Sequence, residues 1–258
     1  MKKKIYQFSI FTCAASAIFL LNLAFPIQVK GESDRSLSVS QKTEVQEIIA
    51  KYLQDNPELI IKSIQDMRTL EKSKGEQRSK QNLITYKDII FNDPDSPVGG
   101  NPNGDVTIVE FFDYNCGYCK KVFPSLEKLI AEDKNLRFVF KEFPILSPQS
   151  ELAARAALAA WRQNKAKYMQ IHSEFIRLKG NFSESRIMRV AMKLKLNPAR
   201  LKRDMVSASM NKIITGNRKL AQKLGISGTP AFIINNKIIP GAVDFSTLKQ
   251  LIADARKD

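Results

Sequence analysis

The sequence has a single histidine, His172, three cysteines, and only 11 glycines and 11 prolines among 258 residues. One imidazole and three thiols exclude, within one chain, a zinc site of four thiolates or of two thiolates and two imidazoles. They also leave a histidine-based triad little to work with, and the thiols are too few for a disulfide-rich scaffold. The modest glycine and proline content excludes a collagen-like or linker-dominated chain. What is plentiful is apolar and basic. Hydrophobic residues make up 43%, enough for one good core with an accessory element or for two small ones. The 41 lysines and arginines against 26 acids give a net charge of +15. That excess is spread along the chain, with no groove-reading motif or RNP-type aromatic pattern, so it describes a basic surface and no nucleic-acid partner is expected.

The N-terminus sets the expected compartment. Met1-Lys2-Lys3-Lys4 is a positive n-region, and residues 5–25 form a mainly apolar run, the pattern of a secretory signal. Residues 1–24 are read as that signal, with cleavage after Ala24 or after Gly31; the run is also long enough to be retained as an anchor. Cys13 lies inside it. The exported, periplasmic chain then holds Cys116 and Cys119 in an oxidising compartment. Two cysteines three apart close too short a loop to constrain the unfolded chain much, which argues for chemistry over scaffolding.

Residues 25–92 are read as an N-terminal helical segment. Val45, Ile48, Ile49, Tyr52 and Leu53 recur at helical spacing, and Asp55-Asn56-Pro57 supplies a cap and a proline that restarts a helix. Leu59, Ile60, Ile64, Met67 and Leu70 follow. Residues 71–80 are then almost wholly polar or charged, like an exposed connecting arm, before Leu83, Ile84, Ile89 and Ile90. This thin apolar stripe has no strand of its own to pack on. It needs a partner surface, either the main domain or a second copy, and a homo-oligomer joined through residues 40–90 is expected.

Residues 93–258 change character. Val106 to Phe112 reads as a buried strand, helical spacing runs from Cys116 through Ile130, and Arg137 to Phe143 reads as a second strand. Residues 148–216 have helical composition, with breaks at Gly180-Asn181 and Asn197-Pro198. Ala231–Ile234 and Lys237–Pro240 flank the turn residues Asn235-Asn236, and a last helix begins near Asp244. The order is that of an α/β domain whose single sheet is interrupted by an inserted helical bundle.

Cys116-Gly117-Tyr118-Cys119 falls where the first strand gives way to a helix. A thiol at a helix N-terminus faces unpaired N–H groups and the positive end of the dipole, both of which favour the thiolate. The thiolate attacks in disulfide exchange, and a second thiol deeper in the helix resolves the mixed disulfide. Cys116 is therefore expected to be the exposed nucleophile and Cys119 the resolving partner. Two thiols and a distant His172 cannot complete a tetrahedral zinc site, so no metal is expected, and His172 itself is read as a surface or partly packed residue outside the chemistry. Thr229-Pro230, directly before a strand, is compatible with a cis bond that exposes backbone to an extended peptide.

Glu110-Phe111-Phe112-Asp113-Tyr114-Asn115 leading into Cys116-Gly117-Tyr118-Cys119, then Lys141-Glu142-Phe143-Pro144, Gly228-Thr229-Pro230-Ala231-Phe232 and Gly241-Ala242, together resemble the DsbA-like thioredoxin-fold disulfide oxidoreductases. The resemblance implies a thioredoxin fold with a helical insertion, a redox-active Cys116/Cys119 pair, a cis Pro230 facing it, and a substrate groove around Gly117, Tyr118, Thr229 and Pro230, with no cofactor. It also implies that Glu110 is a buried acid accepting the proton of the inner cysteine; a surface carboxylate is the alternative. Gly117-Tyr118 stands where the enterobacterial oxidase has Pro-His, which removes an imidazole and should weaken the pair as an oxidant. Gly117-Tyr118 and Thr229 are similar to bacterial disulfide isomerases, and Asn56-Pro57-Glu58-Leu59-Ile60 resembles the stalk of trimeric DsbA-like isomerases. The expected activity is thus thiol–disulfide exchange on unfolded or misoxidised exported proteins, isomerisation ahead of net oxidation, with a membrane redox partner. A dithiol oxidase, or a non-catalytic chaperone or copper-handling protein, are the alternatives.

Overall fold

The structure, a computed structural model, describes residues 36–257, which fall into two compact units meeting at Ile61 and Lys62. The signal expected over residues 1–24, the alternative cleavage point at Gly31 and Cys13 lie outside the described residues.

In the first unit, α1 (Val39–Asp55) opens with a capping box: the Ser38 hydroxyl accepts from the Gln41 amide while the Gln41 side chain accepts from the Ser38 amide. None of its residues is buried, and Val45, Ile48, Ile49 and Tyr52 carry the expected apolar stripe in the open. Asn56 ends it and Pro57 starts α2 (Pro57–Thr85), which runs unbroken through the polar stretch read as an arm. From Lys62 on, α2 belongs to the second unit, as does the short α3 (Lys87–Phe91) that follows it.

The second unit is built on a five-stranded sheet of order β1-β3-β2-β4-β5. Its members are β1 (Val98–Gly100), β2 (Val106–Phe112), β3 (Leu136–Glu142), β4 (Ala231–Ile234) and β5 (Lys237–Pro240). Central β2 and β3 are parallel, joined through α4 (Gly117–Glu132), and the other pairs are antiparallel. Both faces are covered, which is why β2 and β3 read as near-continuous apolar runs. Ile108, Phe112, Phe138, Phe140 and Phe232 face α4 and the insertion, while Val109, Phe111, Val139 and Ile233 face the opposite side.

Two features, β1 and the end of α9, depart from the sequence reading. β1 was not anticipated: three residues with two glycines carry no pattern, and at Gly100, with φ +69°, a Cβ would stand 2.4 Å from the Leu136 carbonyl oxygen. The segment before residue 92 takes, at its C-terminal end, the first of the two partner surfaces allowed for it, the main domain. Leu83 and Ile90, 5% and 0% exposed, join the second face with Val109 and Phe111. Ser79 donates its hydroxyl to the Leu224 carbonyl, and Asn82 Nδ2 donates to that of Lys223 at 2.6 Å. Few apolar residues and two polar tethers hold this end, so hydrophobic period alone could not show it. Behind it, Lys141 is fully buried, donating to the Ile89 carbonyl (2.6 Å), Asp93 Oδ2 (2.9 Å) and Ser96 Oγ (2.7 Å).

The insertion comprises α5 (Pro148–Gln163), α6 (Tyr168–Ile176), α7 (Glu184–Lys193), α8 (Pro198–Met205) and α9 (Ala208–Lys223). Its breaks fall as expected, with Gly180 at φ +76° and Asn197 capping α8 before Pro198. The end expected near Gly216 does not occur there, since α9 continues to bury Leu220 and Ala221 against the sheet. Finally α10 (Phe245–Ala255) is capped by Asp244, whose Oδ1 accepts from the Thr247 amide at 2.7 Å.

Candidate active site

Where β2 ends, Asp113 folds the chain. Its Oδ1 accepts from the Asn115 amide (2.7 Å), and its Oδ2 from the amides of Ile145 (2.9 Å) and Leu146 (3.0 Å). The turn delivers Cys116 to the N-cap of α4, where its sulfur accepts from the Cys119 amide at 3.4 Å. Across from it lies the loop before β4: in the thiol form, Cys116 Sγ–H donates to the Thr229 carbonyl at 3.2 Å, and the Thr229–Pro230 bond is cis as expected. That carbonyl favours the thiol, yet donors to the anion prevail. The Cys119 thiol, opposed by the cost of burial and aided by the side chain of Thr229 and the amides of Cys119 and Tyr118, brings Cys116 down from 9.0 to about 5. The Cys119 thiol is pushed up, first by its bond to Cys116, then by burial and by Glu110.

Glu110 lies on the α4-facing side of β2, between Phe140 and Phe232 in register, and is 2% exposed. Burial, and then the charge on Cys116, raise its carboxyl from 4.5 to about 8, and its Oε2 has no hydrogen-bond partner. The seven residues singled out by sequence thus converge: Cys116, Cys119, Gly117, Tyr118, Thr229 and Pro230 around one helix end, with Glu110 behind. One expectation fails. Cys116 is only 6% exposed, because the Thr229–Pro230 loop lies across it; Tyr118, at 65%, is the exposed member of the motif. A groove of about 530 Å³ runs from Thr229 past Tyr118, Lys121 and Val122 to Phe245. Beside the turn, Ile145 and Leu146 form an exposed apolar ledge.

His172 is not a surface residue. It is buried among Phe112, Phe123, Phe140 and Tyr168, ring centroids 4.8–5.6 Å away, and burial, then Arg177, hold it neutral by lowering it to about 3. Its Nδ1 lies 3.0 Å from the Tyr114 hydroxyl, and Glu142 Oε1 accepts from both Tyr114 and Tyr168 at 3.1 Å. Burial pushes Glu142 well above the usual carboxylate range. This buried network and Asp113 were missed. The available signal was a Lys-Glu pair ending an apolar strand, a pattern that demands buried partners. Among the described residues no group of three or more histidine, cysteine or acidic side chains is placed to hold a metal ion. The arrangement combines an acidic thiol, a weakly acidic thiol within its reach and a buried carboxyl group, the parts needed to open and close a disulfide.

Residues 107–253 match the model of the DSBA-like thioredoxin domain. The chain is 25% identical over 166 residues to disulfide bond formation protein D of Bacillus subtilis, covering 60% of this chain and 75% of that protein. A thioredoxin-like oxidoreductase from Silicibacter pomeroyi DSS-3 is 43% identical, with a TM-score of 0.63 over 66% of this chain and 98% of that one. ScsC of Proteus mirabilis, in a transitional conformation, is 28% identical, with a TM-score of 0.64 over 86% of this chain and 99% of that one. The chain also aligns with an Na(+)/H(+) antiporter NhaA of Salinispora arenicola, but spans only 25% of that protein's length.

Proposed function

Because the chain belongs to the family of DSBA-like thioredoxin domains, we propose that it is an exported thiol–disulfide oxidoreductase working through Cys116 and Cys119, with isomerisation as its main outcome. The observation that carries this is Cys116 at the N-cap of α4, acidified to about 5 beside a Cys119 held protonated. At neutral pH the Cys116 thiolate attacks one sulfur of a client disulfide. The Cys116–client bond forms as the client S–S breaks, and the other client sulfur leaves as thiolate. A different thiolate of the client then attacks the client's sulfur in the mixed disulfide and frees Cys116 as thiolate, a reshuffling with no net electron transfer; attack by the thiolate that left only restores the original bond. Alternatively Cys119 gives its proton to Glu110 and attacks Cys116 Sγ, leaving a Cys116–Cys119 disulfide and a client reduced by two electrons. In the mixed disulfide Cys116 carries no charge, so one of the two causes raising Glu110 is gone and its carboxylate becomes available as the base. Run backwards, the same steps oxidise a client.

The isomerase reading is supported by Gly117-Tyr118, which places no imidazole beside the sulfur, and by Thr229. We assign the clients as unfolded or misoxidised exported proteins, the compartment as the periplasm, reached through a signal in residues 1–24, and the recharging partner as a membrane protein. The stripe of Val45, Ile48, Ile49 and Tyr52 joins copies of the chain. The test is reactivation of a scrambled disulfide protein by the reduced chain. Catalysed reactivation that disappears in Cys116→Ser is expected; efficient oxidation of a reduced client with no reactivation of a scrambled one would make it an oxidase. Removing residues up to 61 is expected to give a monomer by light scattering that keeps dithiol reactivity and loses reactivation, and an unchanged mass would overturn the assembly.

A further inference from the structure

A second groove opens on the N-terminal helix. It has a volume of about 720 Å³ and is walled on one side by the last turns of α2 at Gly75, Ser79 and Leu83. The other wall is β5 at Ile238 and Pro240, and the floor is the chain from Ile226 to Ala231. It meets the Tyr118 groove at Thr229 and Gly241, residues common to both. Its α2 wall lies outside the stretch that matches the family model, residues 107–253.

Three observations say what fits there. First, β5 pairs only with β4 among the described strands, so its outer edge, four residues closed by Pro240, which has no N–H to give, leaves backbone groups beside the groove open to a short extended segment. Second, the lining between that edge and α2 is mainly apolar, with Leu83, Ile226, Ile238 and Pro240 among the larger apolar side chains and Glu76, Lys80, Asn236 and Lys237 as the larger polar ones. Third, the floor is continuous with the redox site, because Thr229, which lines the groove, presents its carbonyl to Cys116 Sγ at 3.2 Å. An edge needs an extended backbone, an apolar bed needs apolar side chains, and a floor running to Cys116 needs a chain that passes the sulfur.

We propose that this groove binds an extended, apolar stretch of the client polypeptide beside the cysteine engaged at Cys116, and that α2 supplies one wall of the client site. The proposal rests on the assignment of Cys116 as the nucleophile. The bound stretch adds along the β5 edge and sets its side chains against Leu83 and Ile238. A client in the mixed disulfide is then held by contacts independent of its sulfur, which keeps it in place while its own thiols rearrange.

The test uses the full chain carrying Cys116→Ser, in which no covalent bond can form, and a fluorescein-labelled, cysteine-free octapeptide alternating valine and threonine. Saturable binding by anisotropy is expected. A tryptophan at position 75 should weaken it about tenfold or more, because no atom stands within 4 Å of where a Cβ on Gly75 would project and the indole would fill the groove. A photo-crosslinking version of the peptide, bound to the chain without the Gly75→Trp change, should label residues 75–83 and 226–240. Absence of binding, equal binding with Gly75→Trp in a folded protein, or labelling confined to the Tyr118 groove would each overturn the proposal. Reactivity of the parent chain's Cys116 with a small soluble disulfide is measured separately. Loss there would instead strike the nucleophile assignment.

Discussion

Cys116 Sγ and the carbonyl oxygen of Thr229 lie 3.2 Å apart although 113 residues separate them in sequence. The contact brings the end of α4 and the head of β4 to one sulfur, and it also explains why that sulfur is covered. A thiol at about 5 is an anion across the neutral range.

Alkylation of reduced protein by iodoacetamide should follow the Cys116 anion, with a midpoint near pH 5, and mass mapping should place the label on Cys116 alone at pH 6. The folded value lies below the 9.0 of an unfolded thiol, so the ionised sulfur stabilises the reduced fold fully above pH 9 and loses that contribution as pH falls through 5. Reduced parent should therefore lose stability relative to Cys116→Ser on going from pH 9 to pH 5, measured by urea unfolding. A midpoint near 9 would remove the activated nucleophile.

Glu110 has the opposite sign. Its folded value of about 8 exceeds 4.5, so folding requires proton uptake and the acid destabilises the fold increasingly from pH 4.5 up to 8. Glu110→Gln should be more stable than the parent at pH 8.5, by on the order of 4 kcal/mol, and equal to it near pH 4. The same variant should slow closure of the Cys116–Cys119 disulfide from a mixed disulfide. It should also flatten the pH dependence of the reduction potential between pH 6 and 8. A potential with unaltered pH slope would show that this carboxyl takes no part in moving the proton.

Tyr118→His returns an imidazole to a site that is 65% exposed and next to the sulfur's helix end. A nearby imidazolium favours the thiolate, hence the reduced pair. The potential should rise by roughly 30 mV, a tenfold change in the exchange constant for this two-electron couple. Equilibration with glutathione reads it directly, and a fall would contradict the electrostatic account.

Lys141→Met tests the buried tether. It strips the partner from the Asp93 carboxylate and the donor from the Ile89 carbonyl, and should cost about 3 kcal/mol in urea unfolding. Adding Asp93→Asn should recover part of the loss, because no uncompensated charge then remains. Additive losses would show that the pair does not act as a unit.

The Cys-Gly-Tyr-Cys motif and the sheet around it were legible because their information is local. A strand–turn–helix junction carrying two thiols, a Thr-Pro before a hairpin strand, and an acid at an inward position of β2 each announce themselves within a few residues. What stayed hidden depends on distant pairing. That Thr229 shades Cys116, that Ser79 and Asn82 fasten α2 to residues 223–224, and that His172 sits under Phe123 are contacts between elements far apart in sequence. The practical difference is large. A deletion drawn at residue 92 from the charge pattern would remove Leu83 and Ile90 from the core, whereas one ending at residue 61 leaves them in place.

Tyr114, two residues before Cys116, shares one carboxyl oxygen of Glu142 with Tyr168 of α6, and its hydroxyl also meets His172 of the same helix. The inserted bundle is therefore wired to the turn that aims Cys116. A substitution confined to α6 thus reaches the loop ahead of the motif through Tyr114 while both thiols stay as they are.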